Sequence, residues 1–260
     1  MRAKSMILMI ACDIVAILLA ASLAGQTPPF DLDALKTEAE ARLKEDMEYW
    51  GKLEFRRQVT RRFIGKDGEV TEQLDYDLWV RPTAKGFDEE LRRIDGREPS
   101  AKEIKEHRKK GRHAKQYEAY SAQKLDNPAG EDIPLSRFIH GPPHRLVGEE
   151  TIRGELCYRL EFDAQPEPQK GKVTDRLVAA MEGTVWLTVE GAHLAKADIH
   201  VVRSVAQGPA GVNKMRMRME LAPVDGHWLP TKIEVVSDLK APFMAIRRHN
   251  TYLYSEYRRP

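Results

Sequence analysis

Alternation of apolar and polar side chains with a period of two, sustained over most of a 260-residue chain, is what most limits the folds open to it. A strand sends successive side chains to opposite faces, so this pattern builds sheets with one apolar and one polar face. It begins at Leu53, Phe55, Val59 and Phe63, with Glu54, Arg56, Gln58, Thr60 and Arg62 on the other parity. Lys66-Asp67-Gly68-Glu69 then offers a turn, because Asp-Gly accepts the positive φ angles of tight hairpins. Leu74, Tyr76, Leu78 and Val80 resume the alternation against Asp75, Asp77 and Arg81. Strands of about twelve residues at about 3.3 Å per residue reach roughly 40 Å, a length suited to a large curved sheet.

The pattern returns near Arg145 and continues to the C-terminus. Strands are expected over 146–152, 156–163, 184–189, 194–205, 213–223, 228–239 and 243–257, with turns at Arg153-Gly154-Glu155, Glu190–His193 and Asp225-Gly226. With the first hairpin this gives about nine strands in up-and-down order, a mainly β (α+β) fold with covering helices. Ahead of the sheet, Leu32, Leu35, Ala39, Leu43, Met47 and Trp50 recur at spacings of three and four, the mark of a helix that covers something apolar. Shorter helical pieces are expected over Ile133–His140 and Leu177–Met181.

Residues 82–143 read as a charged helical insertion. Pro82, Gly86, Asp95-Gly96 and Pro99 break the pattern, and Ser100-Ala101-Lys102-Glu103 has the spacing of a capping box, which starts a helix at Ser100. Between Ser100 and Lys115 lie Lys102, Lys105, Arg108, Lys109, Lys110, Arg112 and Lys115, against Glu103 and Glu106 alone. A solvated helix face and a contact with anionic headgroups or another envelope surface both fit, with Lys105, Lys109 and Arg112 as surface-contact candidates. Nucleic acid is not expected as a partner, since no aromatic residues interleave with these charges and the whole chain carries a formal net charge of only +2.

The first 24 residues read as a signal peptide, leaving 25–260 as one exported, periplasmic domain. Arg2 and Lys4 precede an apolar run that is uncharged for the eleven residues from Ile14 to Ala24, and Ser22-Leu23-Ala24 places small residues before a cut at Gly25. An uncleaved anchor is the alternative; it would set Asp13 near the middle of a span at a cost of about 2.5–3.5 kcal/mol. Met9-Ile10-Ala11-Cys12 faintly resembles the box before a lipid-modified cysteine, but the main apolar segment follows Cys12 rather than preceding it. Once Cys12 departs, Cys157 is the one cysteine left, which excludes an internal disulfide.

No catalytic pattern stands out. Gly-x-Ser-x-Gly, His-Glu-x-x-His and a glycine-rich phosphate loop are all missing, so neither enzyme activity nor a cofactor is expected. His140 and His144 flank Gly-Pro-Pro and do not share a helix face as paired zinc ligands would, so no metal site is expected. The most informative stretch is Lys214–Leu221, where Met215, Met217, Met219 and Leu221 leave one strand face and Lys214, Arg216, Arg218 and Glu220 the other. Methionine is flexible and polarisable and adapts to ligands of variable shape such as acyl chains; a sheet core that happens to use methionine is the alternative. The candidates for a ligand-cavity wall are Met215, Met217, Met219, Leu74, Tyr76, Leu78, Leu160 and Phe162.

Four stretches carry a family resemblance: Gly148-Glu149-Glu150-Thr151-Ile152-Arg153-Gly154-Glu155-Leu156-Cys157-Tyr158, Gly183-Thr184-Val185-Trp186-Leu187, His227-Trp228-Leu229-Pro230, and Tyr254-Ser255-Glu256-Tyr257-Arg258-Arg259. With the signal peptide, the amphipathic helix and the run of long strands, they make the chain resemble the outer-membrane lipoprotein-sorting carriers, the Lol-type periplasmic chaperones and their relatives. The resemblance implies a half-barrel whose concave apolar face is covered by helices and holds acyl chains of a lipid or lipoprotein. An envelope interaction protein with a solid core, binding a protein partner through the charged helix, is the second expectation.

Overall fold

A computed structural model describes residues 30–84, 86–108, 124–125, 133–134, 136–168, 172–207, 210–241 and 244–260. The expected signal peptide, Lys109, Arg112 and the loop over 126–130 lie outside these residues. The chain divides into two compact units, one through Leu35 and one from Lys36 to Pro260. In the first, Asp31 starts helix α1 (Leu32–Trp50), its Oδ1 accepting the backbone N–H of Asp33 and Ala34 at 3.1 and 2.9 Å.

In the second unit the strands are β1 (Glu54–Ile64), β2 (Val70–Thr83) and β3 (Gly86–Ile94), a two-residue pair β4 (Lys124–Leu125) with β5 (Ile133–Pro134), then β6 (His144–Ile152) and β7 (Glu155–Phe162). They continue as β8 (Met181–Thr188), β9 (Leu194–Val201), β10 (Val205–Gln207), β11 (Ala210–Val224), β12 (His227–Ala241) and β13 (Met244–Arg258). Three helices intervene: α2 over 101–108, α3 (Ser136–His140) and α4 (Val173–Ala179). All strands but β4 and β5 join one curved, open antiparallel sheet in the order β3-β2-β1-β13-β12-β11-β9-β8-β7-β6, with β10 paired to β11. The mainly β class with a large curved antiparallel sheet is therefore the observed one.

Three expectations need correction. The sheet has eleven strands rather than nine, the additional two being β3 and the three-residue β10. Since β3 pairs along β2, the interruption begins after Ile94 and not at residue 82. The order is also not one up-and-down run: β1–β3 and β6–β13 form two meanders, joined where β1 pairs with β13 over Glu54–Phe63. Two helices shift as well, to Ser136–His140 and to Val173–Ala179, and Met181 opens β8 instead of ending a helix.

Local chemistry explains the elements that hold. Ser100 and Glu103 form the expected reciprocal cap, with Ser100 N donating to Glu103 Oε2 at 2.8 Å and Glu103 N to Ser100 Oγ at 3.3 Å. Asp225 and Gly226 have φ of +51° and +81°, the pair of positive angles that a two-residue hairpin turn requires. On α1, Ala39, Leu43, Met47 and Trp50 are buried as their spacing predicts. Trp50 ends the helix in an aromatic cluster with Phe55, Phe87 and Tyr254, at ring distances of 5.5–5.9 Å. Asp46 lies on the same buried stripe, 1% exposed, and accepts from His193 Nδ1 at 2.8 Å and His227 Nδ1 at 3.1 Å. Those histidines sit at the β8–β9 and β11–β12 turns, so one carboxylate ties α1 to two hairpins.

Candidate functional site: the apolar face of the sheet

Directly paired residues on neighbouring strands project to the same face, so the register can be followed across the sheet. One row runs Ile94, Tyr76, Val59, Tyr252, Ile233, Met219, Ala197, Val185, Leu160, Leu146, crossing every strand of the main path from β3 to β6 without a charged residue. The next row runs Leu74, Arg61, Asn250, Val235, Met217, Ile199, Gly183, Phe162, His144. It is apolar on β7–β12 and turns polar at β13 and β1. Gly183 is required there by close approach, since a Cβ would stand 2.4 Å from the Asp198 carbonyl oxygen and 2.9 Å from Ile199 Cα.

All eight candidate wall residues therefore belong to strands of one sheet, and Tyr76, Met219 and Leu160 share one row. Met215, Met217, Met219, Leu78, Leu160 and Phe162 are buried, whereas Leu74 and Tyr76 are half-buried. The Phe162 ring lies tilted against those of His144 and Phe138, at centroid distances of 5.2 and 6.5 Å. A cleft of about 730 Å³ opens at the ends of β9, β11, β12 and β13, lined by Met215, Ser237 and Arg248 of the apolar face and by Lys214, Arg216 and Asp238 of the opposite one. Cys157 is fully buried, and burial pushes its thiol pKa up, away from the reactive thiolate. Lys105, on α2, is exposed.

The opposite face is a lattice of ion pairs. Asp198 accepts from Arg216 Nε at 2.8 Å and Nη2 at 2.6 Å, and from Arg218 Nε at 3.3 Å. Glu234 pairs with His249 at 2.7 Å, and His200 with Glu182 at 2.9 Å. The Arg216 guanidinium holds the Asp198 carboxyl below its ordinary pKa, against the opposing effect of partial burial. A carboxylate with a depressed folded pKa contributes stability above its unfolded pKa of about 3.9 and loses it as pH falls through the folded value. Both partners are partly exposed, so Arg216→Gln is expected to cost only about 0.5–1 kcal/mol at neutral pH. Thermal melts of the two proteins should converge as pH drops below about 4; a gap that persists or widens there would contradict the pairing.

Sequence reasoning missed Arg57, Arg61 and Arg248, which lie on the apolar face. The signal was present: in β1, residues 57 and 61 share the parity of Phe55, Val59 and Phe63. Arg57 is paired with Glu89 on β3, and His107 of α2 stands 3.7 Å from the same carboxylate. Arg248 lies over the Phe63 ring at 5.4 Å.

No protein-family model matches the chain, and no curated protein matches it. Similar solved structures include a LolA superfamily protein of Nitrosomonas europaea, at 16% identity and a TM-score of 0.33, covering 85% of this chain and 93% of that one. A DUF1329 family protein of Desulfovibrio piger shows 15% identity and a TM-score of 0.34 over 88% and 92% of the two chains. A domain named for outer membrane lipoprotein sorting, from Vibrio parahaemolyticus, shows 12% identity and a TM-score of 0.36 over 88% and 93%. The first and third carry the name of the group that the sequence resembles.

Proposed function

We propose that this chain is an exported, periplasmic carrier that holds acyl chains of a lipid or lipoprotein against the apolar face of its sheet. The observation that supports this most is the uncharged row of ten side chains across ten strands, flanked on β11 by Met215 and Met217. Burial of an acyl chain there would contribute about 0.8 kcal/mol per CH₂. Residues 25–260 act as the carrier once a signal peptide has been removed. Among the described residues no helix is long and apolar enough to cross a membrane. No catalytic step is part of this reading.

A second reading has its own observation. Met215, Met217 and Met219 are only 3–5% exposed, as they would be in a filled core serving a scaffold that binds an envelope protein. Met217→Gln separates the two. In a filled core the buried amide lacks partners and costs about 1–3 kcal/mol. In a wall that opens to ligand and water the empty protein tolerates the amide, and binding weakens instead. The carrier reading expects a fluorescent fatty acid to bind the delipidated parent and to bind the variant less tightly, with melting nearly unchanged. Strong destabilisation, together with a parent that binds no probe, would sink the carrier and leave the scaffold.

A further inference from the structure

The polar end of the apolar face carries an arrangement that a simple acyl groove does not need. Arg61 on β1 is directly paired with Asn250 on β13, and Phe63, two residues along β1, is paired with Arg248. Both arginines thus project to the same face from adjacent strands, in successive rows. Arg61 Nε, Arg248 Nε and Asn250 Oδ1 are all buried and have no hydrogen-bond partner. Nor does either arginine form an ion pair with a carboxylate among the described residues. The contrast with the neighbours is direct, since Arg57 on the same face meets Glu89 and Arg247 on the other face meets Asp238.

A guanidinium offers five N–H donors and no acceptor, so two of them with unsatisfied buried donors leave a site that lacks an acceptor carrying negative charge. The surroundings decide what form that acceptor takes. Leu74 flanks Arg61 on one side, while Val235 and Met217 continue the Arg61–Asn250 row into the wholly apolar part. Arg248 and Met215 also line the 730 Å³ cleft, together with Arg216 and Asp238 of the opposite face. An oxyanion at the arginines would therefore sit at the head of an apolar track. We infer that Arg61 and Arg248 form a headgroup site that selects amphiphiles with a carboxylate or phosphate head over neutral ones, its acyl chain lying along the β12–β11 side of the face. Asn250, opposite Arg61 and two residues from Arg248, can contact the head only through its amide NH₂, since its Oδ1 is an acceptor. This inference rests on the carrier reading and narrows its ligand to anionic lipid.

The test compares two ligands with one chain. Oleate and oleyl alcohol differ in the charge of the head, and each is titrated against a neutral fluorescent acyl probe on the delipidated full-length mature protein. Charge-assisted hydrogen bonds of ordinary strength predict about 10- to 100-fold tighter binding of oleate. Arg61→Gln/Arg248→Gln should abolish that preference, bringing oleate down to the affinity of oleyl alcohol. Equal binding of both ligands by the parent would overturn the headgroup site while the carrier reading stands. Failure of the parent to bind the probe or either ligand would overturn the carrier reading and the headgroup site with it. Protection against melting by millimolar inorganic phosphate, without any oleate preference, would assign the arginines to a free anion and overturn the lipid assignment. The parent comparison needs no variant, so it decides the matter even where the double variant folds poorly.

Discussion

Phe55→Ala is expected to destabilise the protein by about 3–5 kcal/mol, the largest effect of any single truncation considered. Phe55 is 1% exposed and lies at the start of β1, where its ring meets Trp50, Phe87, Tyr254 and Tyr257 at 5.5–5.9 Å. It therefore joins the end of α1 to β3 and β13, and β1–β13 is the seam between the two meanders. Aromatic pairs of this kind add about 0.5–1.5 kcal/mol beyond the area that they bury. For a domain of this size the loss should appear as a fall in Tm of roughly 6–20 °C. Leu253→Ala, at a β13 position 43% exposed, serves as the control and should change Tm little. A Phe55→Ala protein that melts within a degree or two of the parent would mean that the seam does not depend on this cluster.

Asp46→Asn is expected to rank second, at about 2–3 kcal/mol. The side chain keeps its volume but loses its charge, and its single carbonyl oxygen replaces a carboxylate that serves two imidazoles at once. The lower end of the range for broken buried pairs applies because His193 and His227 retain 16% and 30% of their side-chain exposure and can turn to water. Hydrogen exchange should show α1 opening more often than the strands. A double-mutant cycle with His193→Ala should show a coupling well above zero; additive effects would mean that the carboxylate and imidazole act independently.

The two residues behind these predictions were not equally legible. Phe55 is visible as an apolar residue at period two in a strand. Asp46 reads as a charge on a polar helix face, although its position between Leu43 and Trp50 lies on the buried stripe. The partners that make it tolerable come from turns nearly 150 and 180 residues away, and no local pattern names them. The long strands were legible because half of each is apolar at fixed parity. β3 was not, because Phe-Asp-Glu-Glu-Leu-Arg-Arg at a sheet edge buries Leu91 alone and leaves no alternation to read. Strand order was hidden for a different reason: β1 and β13 meet across some 190 residues, and alternation says which face a residue takes but not which strand lies beside it. The arginines on the apolar face were legible as breaks in parity, and such breaks mark positions where a fold tolerates a charge for some purpose other than packing.

Among the described residues the open sheet leaves β3 and β6 paired on one side only, and β6 shows how this chain limits the hazard. Its nine residues present a row of backbone donors and acceptors to any passing extended chain, with Leu146 and Val147 exposed on it. The register slips between Leu146 and Gly148, and Gly148 takes φ of +149°, so the strand is divided into a short stretch ending at Leu146 and another from Gly148 to Ile152. The second stretch carries Glu149 and Glu150 side by side. A like strand docking in register would have to follow the kink and bring carboxylates together, so templated growth into fibrils meets both a geometric and an electrostatic barrier along this edge.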